Sequence, residues 1–344
     1  MDIFIQQVIN GLTQGAVYAL VALGYTMVYG IIGLINFAHG EVVMLGAMVA
    51  FSVITGLVAA NVPLPPVVIV LLGALAAMPF CMAVGFFLER VAYRPLRHAP
   101  RLAPLITAIG MSIILQQVAM IFWGRNNLAF PQIIPTWSVE IAGASITGLQ
   151  IAIITMSFAL MGGLSLMVYR TRLGIAMRAT AENPHVAQLM GVATNRVIAS
   201  TFIIGAGLGA VAGIMFGTYY GIAHYTMGAI LGLKAFCAAV LGGIGNLAGA
   251  MVGGIVLGLV EALGAGYIGE VSDLCRWPGV SSLLAERCAR DGHVVMFGSN
   301  YQDVFAFLVL ILVLVFRPSG LLGERVANKE DKPGQSHKSV TLEI

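Results

Sequence analysis

The sequence predicts an all-α, polytopic membrane protein with about eight or nine transmembrane helices. Of its 344 residues, 59% are hydrophobic and only 10% are charged, and the mean hydropathy is +0.93. Soluble proteins average about 45–50% apolar and about 25% charged residues. Apolar runs long enough for spanning helices, which need about 20 residues each, recur from residue 8 to residue 316. These runs are too long and too uniformly apolar for the strands of a membrane β-barrel, which alternate over about ten residues.

Charges, prolines and polar clusters divide the chain into eight clear spans and a weaker ninth. The ninth, 227–245, is rich in glycine and contains Lys234, so it is either a full span or a re-entrant segment that lines a cavity. Met1 and Asp2 precede the first run without the basic residues of a secretory signal, so the first span is expected to remain in the mature protein. The eight clear spans are 8–29, 41–60, 67–88, 102–123, 149–169, 197–218, 247–264 and 301–316.

The positions of lysine and arginine predict the orientation, because loops rich in these residues stay on the cytoplasmic side. With nine spans and the N-terminus outside, 13 basic residues fall inside, within 90–101, 170–196 and 317–338. Only four fall outside, at Arg125, Arg276, Arg287 and Arg290. The spans predict a protein of the inner-membrane type, and the charges predict that the N-terminus lies outside and the C-terminus in the cytoplasm.

This topology gives one transmembrane domain, 1–316, with a cytoplasmic loop at 170–196 and an extracytoplasmic insertion at 269–300. Residues 317–344 are expected to form a disordered cytoplasmic tail. Cys275 and Cys288 lie in the insertion, where they either form a disulfide or remain free. A disulfide closing this loop would stabilise the protein by about 3 kcal/mol if the compartment is oxidising. Cys81 and Cys237 lie in apolar runs and are interpreted as small hydrophobic residues.

The motifs of catalysis and of nucleotide binding are missing from the sequence. It has no glycine-rich loop ending in Gly-Lys-Ser/Thr, so it has no phosphate-binding loop for ATP. It has no zinc-ligand spacing and no nucleophile elbow, and its six histidines are scattered. An intramembrane protease or a lipid-modifying enzyme would need a convergent polar site that the sequence does not provide. We therefore expect no catalytic residue, metal, cofactor or nucleic-acid partner.

Five polar residues within the apolar runs are candidates for a solute passage. A charge at mid-bilayer costs about 2.5–3.5 kcal/mol on insertion scales and normally faces a cavity or a partner. Asn36, His39 and Glu41 form a polar break between two apolar runs, which is either a discontinuous helix on a passage or an ordinary interfacial turn. Lys234 and Glu261 lie in later runs, where they could pair in a structural role.

Two features favour closely packed, repeated halves. Gly-x-x-x-Gly pairs are dense from 205 to 258, and such pairs let helices approach closely. Residues 28–31, before Asn36 and His39, resemble residues 219–222, before His224 and Gly228. In the predicted topology these copies run in opposite directions, and inverted repeats with broken helices are typical of transporters.

The cytoplasmic loop contains a clear short helix. Asn183 is a good N-cap, Pro184 suits the first helical position, and Gly191 suits the position after the helix. Val186, Leu189 and Met190 form one apolar face, which either docks on a cytoplasmic partner or lies on the membrane surface.

Four stretches together resemble the LivH-type permeases of branched-chain amino acid ABC importers, in the branched-chain amino acid/ribose-type family. They are 24–41, 174–191, 239–246 and 316–323, and the resemblance covers nearly the whole chain. It implies a second, LivM-like permease subunit, two cytoplasmic ABC ATPases and a periplasmic substrate-binding protein as partners, with membrane lipid around them. The loop 174–191 would be the coupling helix, with contacts at Arg178, Glu182, Asn183, Pro184, Leu189 and Gly191.

The chain departs from the family pattern in two places. It has Ala181, Glu182 and Asn183 where other importer permeases carry a Glu-Ala-Ala loop, and 273–293 looks like an insertion. The function predicted from the sequence is the permease subunit of an ATP-driven importer of branched-chain amino acids. A urea or short-amide ABC permease is the alternative, followed by a stand-alone channel or secondary transporter, in which the coupling loop would have no use.

Overall fold

The computed structural model describes residues 2–97, 99–100, 102–133, 137–141, 143–271 and 301–323. Cys275, Cys288 and most of the predicted insertion 269–300 lie outside the described residues, and only 269–271 belong to a described helix. The described helices are α1 (Asp2–Ile32), α2 (His39–Ala59), α3 (Pro66–Phe87), α4 (Leu102–Trp123), α5 (Gly148–Arg170), α6 (Arg172–Glu182), α7 (Pro184–Leu189), α8 (Thr194–Tyr220), α9 (Met227–Gly242), α10 (Leu247–Val271) and α11 (Gln302–Phe316).

Short elements connect these helices. A π-helix (Leu88–Tyr93) and a 3₁₀ turn (Arg94–Leu96) follow α3. The strands β2 (Ser138–Ile141) and β3 (Ala144–Thr147) form an antiparallel hairpin before α5. The strands β1 (Leu128–Ala129) and β4 (Ile222–Ala223) pair antiparallel and join the end of α4 to the segment after α8.

Seven described helices are long and apolar enough to cross a membrane, namely α1 to α5, α8 and α10. They confirm seven of the eight clear spans. The eighth, 301–316, corresponds to α11, which has 15 described residues, and the weak ninth corresponds to α9, with 16. At 1.5 Å per residue these helices are only about 22 and 24 Å long, short of a hydrocarbon core of about 30 Å.

Helices α1 and α8 form the centre of the fold. In each, 78% of the most apolar stretch is buried, whereas only 11% is buried in α4. Helix α10 packs along α1 at glycines, and an added Cβ on Gly258 would lie 2.3 Å from the backbone nitrogen of Gly15. Helix α3 packs along α8 in the same way, since a Cβ on Gly85 would lie 2.6 Å from Cβ of Ala206. Cys81 and Cys237 are free and buried, as expected of small hydrophobic residues.

The helices α1 to α3 and α8 to α10 are two inverted copies of one unit. Helix α1 is followed by Gly33 with φ of +69°, and α8 is followed by Gly221 with φ of +70°. In both copies the next helix begins six residues after that glycine, at His39 and at Met227. Gln14 bonds to Tyr220 while Gly24 lies against Gly205, so α1 and α8 are antiparallel.

The sequence match aligned Gly30 with Gly221. By its position after the first helix and its left-handed backbone, the counterpart of Gly221 is instead Gly33, three residues later. The real equivalence is the left-handed backbone at the end of each first helix, which glycine adopts without a steric penalty.

The two copies meet where α2 and α9 begin. A Cβ on Gly40 would lie 2.3 Å from the carbonyl oxygen of Gly228, and a Cβ on Gly228 would lie 2.5 Å from that of Gly40. His39, beside this contact, lies between Gly24 of α1 and Gly209 of α8. Both broken segments therefore fold back into the protein and bring two helix N-termini together between α1 and α8.

The first residues of the predicted tail are ordered on the end of α9. Leu321 N donates to the carbonyl of Leu241 at 2.8 Å, and Leu322 N donates to that of Gly242 at 3.0 Å. The side chain of Asn246 donates to the carbonyl of Leu322 at 2.8 Å. The expectation of disorder is thus wrong for 317–323, because these residues satisfy the last carbonyls of α9. Residues 324–344 lie outside the described residues.

Gly228→Ala is expected to destabilise the protein by about 1–3 kcal/mol, because the new methyl group would overlap the backbone of Gly40. The matched control is Gly162→Ala on α5, where an added Cβ meets no atom within 4 Å. The control should be neutral or slightly stabilising. Thermal unfolding of the detergent-solubilised chain measures both, and equal melting temperatures for the two variants would contradict the close contact.

Candidate functional site

The five polar residues proposed for a passage form two separate clusters. Asn36, His39 and Glu41 lie at the break between α1 and α2, and Lys234 and Glu261 lie on α9 and α10. All five are buried. No hydrogen bond or ion pair between described residues joins the two clusters. The charges of one cluster therefore do not pair with those of the other.

Glu41 is a buried carboxylate without a cationic partner among the described residues. Its Oε1 accepts hydrogen bonds from Gln116 at 2.7 Å and from Ser112 at 3.1 Å, both on α4. Its Oε2 lies against the start of α9, 2.6 Å from where a Cβ on Gly228 would be. Glu41 is in the first turn of α2, and the positive ends of helix dipoles stabilise negative charge. Two helix N-termini and two side-chain donors therefore stabilise this carboxylate.

His39 and Asn36 hold the break in place. The His39 ring meets Tyr25 edge-on at 4.9 Å between centroids. Asn36 Oδ1 accepts a hydrogen bond of 2.7 Å from the hydroxyl of Tyr93, which lies in the π-helix after α3. The break is thus fixed by side chains from outside it.

Lys234 lies at the centre of the second cluster. Its Nζ is 2.7 Å from Oε1 of Glu261, which confirms that the two residues pair, and it is also 2.7 Å from Oδ1 of Asp303. The hydroxyl of Tyr18 lies 3.5 Å away. One cation thus joins α9, α10 and α11 beside α1. Buried ions are costly unless they are paired in this way.

Several residues of these clusters were missed in the sequence. Ser112, Gln116 and Tyr93 are ordinary polar residues within or at the end of apolar runs, and nothing local marks them as partners of Glu41 and Asn36. Asp303 carries a weak signal, since it is an acidic residue close to the start of a predicted span. An acidic residue in that position is usually taken to be interfacial.

The loop 170–196 contains two helices, α6 and α7. Asn183 Oδ1 accepts hydrogen bonds from the backbone nitrogens of His185 and Val186 at 3.0 and 3.1 Å, Pro184 begins α7, and Gly191 has φ of +85°. These facts confirm the predicted short helix. Helix α6, which precedes it, was missed, although the side chain of Thr171 caps its start by accepting from the backbone nitrogen of Gly174.

The apolar face of α7 is exposed. Leu189 and Met190 are 75% and 80% exposed, and Val186 is 50% exposed, whereas Ala187 is buried against the protein. Glu182 at the end of α6 is also exposed. Arg178 turns back, and its guanidinium lies 5.5 Å from the ring centre of Tyr169. Of the predicted coupling residues, Glu182 and Leu189 face outward, while Asn183, Pro184 and Gly191 shape the helix.

Among the described residues, no group of three or more His, Cys, Asp or Glu side chains could hold a metal ion. The site therefore consists of two buried clusters of polar side chains and one exposed apolar helix at one end of the protein.

Comparison with known proteins places the sequence in a family. The sequence model for the permease component of the branched-chain amino acid transport system matches residues 7–314. No solved structure is significantly similar to the chain.

Individual relatives match over nearly the whole length. The high-affinity branched-chain amino acid transport system permease protein BraD of Pseudomonas aeruginosa is 46% identical, over 95% of this chain and 98% of that protein. The corresponding protein LivH of Escherichia coli is 42% identical, over 95% of this chain and 97% of its own length. A probable branched-chain amino acid transport permease of Methanocaldococcus jannaschii is 26% identical over 88% of each chain.

We expect three substitutions in the Lys234 cluster to lower the free energy of unfolding by different amounts. Lys234→Met should cost about 3–5 kcal/mol, because it leaves Glu261 buried without its counter-ion. Glu261→Gln should cost less, because Lys234 keeps Asp303, and Asp303→Asn, at the partly exposed position, should cost under about 1 kcal/mol. Chemical unfolding in detergent measures all three.

The double variant Lys234→Met, Glu261→Leu is the decisive control. It removes both buried ions and should recover much of the stability that Lys234→Met loses. A double variant no more stable than Lys234→Met would show that the pair is not energetically coupled.

Proposed function

The chain belongs to the family of permease components of branched-chain amino acid transport systems, and we propose that it lines the membrane passage of an ATP-driven importer for branched-chain amino acids. The observation that carries this proposal is the identity of 46% and 42% over 95% of the chain to BraD and LivH. It extends across both inverted copies and the loop between them. The chain is a multi-pass inner-membrane protein and a transport subunit.

The proposed importer function implies partner proteins for this chain. An ABC importer permease works with ATPases and a substrate-binding protein, which is consistent with the absence of a phosphate-binding loop here. We propose further that the second permease is a homologous, LivM-like subunit, that two ATPases bind in the cytoplasm, and that the binding protein delivers solute from the periplasm.

The proposed orientation, with the N-terminus outside, is supported by contacts that gather the arginines at one end. Arg97 bonds to Asn195 at 2.6 Å, so the loop after α3 adjoins the start of α8. Arg178 and Arg317 line one cavity at the same end. At the opposite end, the side chain of Gln6 accepts from the backbone nitrogen of Ser145 in the β2–β3 hairpin. The end rich in arginine is the cytoplasmic one by the positive-inside rule.

Helix α7 is the proposed coupling helix. Its exposed Leu189 and Met190 would fill an apolar groove on the ATPase, in the way amphipathic helices commonly dock. ATP-driven closure of the ATPases would move α7 and switch the passage between outward-facing and inward-facing states. Arg178, Asn183, Pro184 and Gly191 would position this helix and Glu182 would add a polar contact.

The proposed passage borders the break at Asn36, His39 and Glu41. Discontinuous helices with their N-termini in the membrane are the usual place for solute sites in transporters. Glu41 is held by α4, the least buried of the long helices, whose outer face is open to lipid or to the second permease. Lys234 and Glu261 pair with each other and with Asp303, which favours a structural role for them beside the passage.

A urea or short-amide permease is the alternative, and a stand-alone channel or secondary transporter comes after it. Uptake of labelled leucine and labelled urea into vesicles that contain the purified importer separates the first two. Leucine uptake that needs ATP supports the proposal. Uptake of either solute by the chain alone, without ATPases, would replace it with a self-sufficient transporter.

The coupling role of α7 is tested by co-purification. The double variant Glu182→Ala, Leu189→Asp should lose its ATPase subunits, because a charge would enter the apolar contact. The matched control, Glu140→Ala with Val139→Asp, makes the same changes at exposed positions of the hairpin at the opposite end. Wild type and control should both retain the ATPases in mild detergent. Retention of the ATPases by the α7 variant would contradict the coupling role of α7.

The orientation is tested separately by cysteine labelling in intact cells. Leu189→Cys and Val139→Cys are introduced into a chain whose four native cysteines are replaced by alanine. We expect a membrane-impermeant maleimide to label Val139→Cys from outside and Leu189→Cys only after the inner membrane is opened. The reverse pattern would invert the topology without affecting the family assignment.

A further inference from the structure

A large cavity lies at the arginine-rich end of the protein, and Arg178 is the one proposed coupling residue among those that line it. Its volume is about 1250 Å³. Tyr169 at the end of α5, Arg178 on α6, and Phe316 and Arg317 at the end of α11 lie on its walls, with Ser319 from the segment that follows. The cavity therefore lies where α5 and α11 end.

The charge on the cavity walls has one sign. Arg178 and Arg317 are the charged residues among the described residues that line it, and no described Asp or Glu does. Neither guanidinium forms an ion pair with another described residue. Arg178 lies over the ring of Tyr169, which orients it without neutralising its charge. Unpaired guanidinium groups favour a phosphate or carboxylate, which each can bind through two parallel hydrogen bonds.

Part of the cavity wall is apolar. Val168 and Phe316, at the ends of α5 and α11, lie on it together with Val240, Ile244 and Leu321. A free inorganic anion would satisfy the arginines and leave these walls uncovered. An amphiphile with an anionic head and an aliphatic chain satisfies both parts, and Tyr169 is of the residue type that favours the headgroup region.

We propose that this cavity binds one anionic phospholipid of the cytoplasmic leaflet, with its phosphate on Arg178 and Arg317 and an acyl chain along Val168 and Phe316. The proposal rests on the orientation given above. Basic pockets between helices on the cytoplasmic side bind anionic headgroups by the same chemistry. The bound lipid contacts both α6 and the segment after α11, so it stabilises the coupling loop against the body of the permease.

The test uses the purified full-length chain in detergent, with phosphatidylglycerol and phosphatidylcholine as probes. Native mass spectrometry and thermal melting report lipid binding without any transport. The variant Arg178→Gln, Arg317→Gln should lose at least tenfold in apparent affinity for phosphatidylglycerol. The control Arg172→Gln, Arg196→Gln removes two exposed arginines of the same end that do not line the cavity, and it should bind like wild type.

The outcomes separate the possible occupants. Retention of phosphatidylglycerol over phosphatidylcholine by wild type and control, and its loss in the cavity variant, supports the lipid site. Equal binding of the two lipids, or unchanged binding by the cavity variant, overturns it. Displacement of the lipid by millimolar inorganic phosphate indicates a small-anion site, and a cavity that is protected only when the ATPases are bound indicates a protein occupant. Both of these results also overturn the proposal, whereas a failure of leucine transport alone leaves it standing.

Discussion

The contact between the starts of α2 and α9 is the constraint on which the rest of the fold depends. Glycine at positions 40 and 228 lets two backbones approach until any side chain would overlap them. The contact brings two positive helix ends together, and Glu41 lies between them. Helices α2 and α9 start inside the protein. Helices α1 and α8 lie on either side of these starts and run antiparallel to each other. The third helix of each copy then packs on the first helix of the other.

The parts of the fold that depend on local sequence could be predicted, and those that depend on distant pairing could not. Seven long spans follow from hydropathy alone, and Asn183, Pro184 and Gly191 fix α7 through chemistry within nine residues of chain. The position of the break at Asn36 is equally local. By contrast, the partners of Glu41 lie more than 70 residues away on α4, in an apolar run with four scattered polar residues, Thr107, Ser112, Gln116 and Gln117. The alignment of the repeat was wrong for a related reason. The equivalence of Gly33 and Gly221 lies in their left-handed backbone conformation and not in the residue types beside them.

Helix α8 connects helix α7 to the broken segments. Gln188 on α7 bonds to Thr194 at the start of α8 at 2.7 Å, and Arg97 bonds to Asn195 at the same place. Fifteen residues further along, Gly209 of α8 lies against His39, and Gly213 lies against the backbone of Val43 on α2. Since α8 has 27 residues, it is about 40 Å long and unbroken. In the proposed coupling, a displacement of α7 would therefore act on the break through one continuous helix.

The two buried charged clusters differ in how easily they can move. Lys234 is fixed by two carboxylates on separate helices, and separating them exposes unpaired ions to a medium of low dielectric constant. Glu41 depends on helix dipoles and on two neutral donors of α4, so a shift of α4 costs hydrogen bonds and no ion pair. A hydrogen bond to a charged group contributes about 1.5–3 kcal/mol, whereas breaking a buried ion pair costs about 3–5 kcal/mol. The two hydrogen bonds from α4 to Glu41 can be broken one at a time, each at the smaller cost, whereas a movement of α9 or α10 separates Lys234 from Glu261 in one step. This difference favours movement at the break beside α4, which is the side on which we propose the passage.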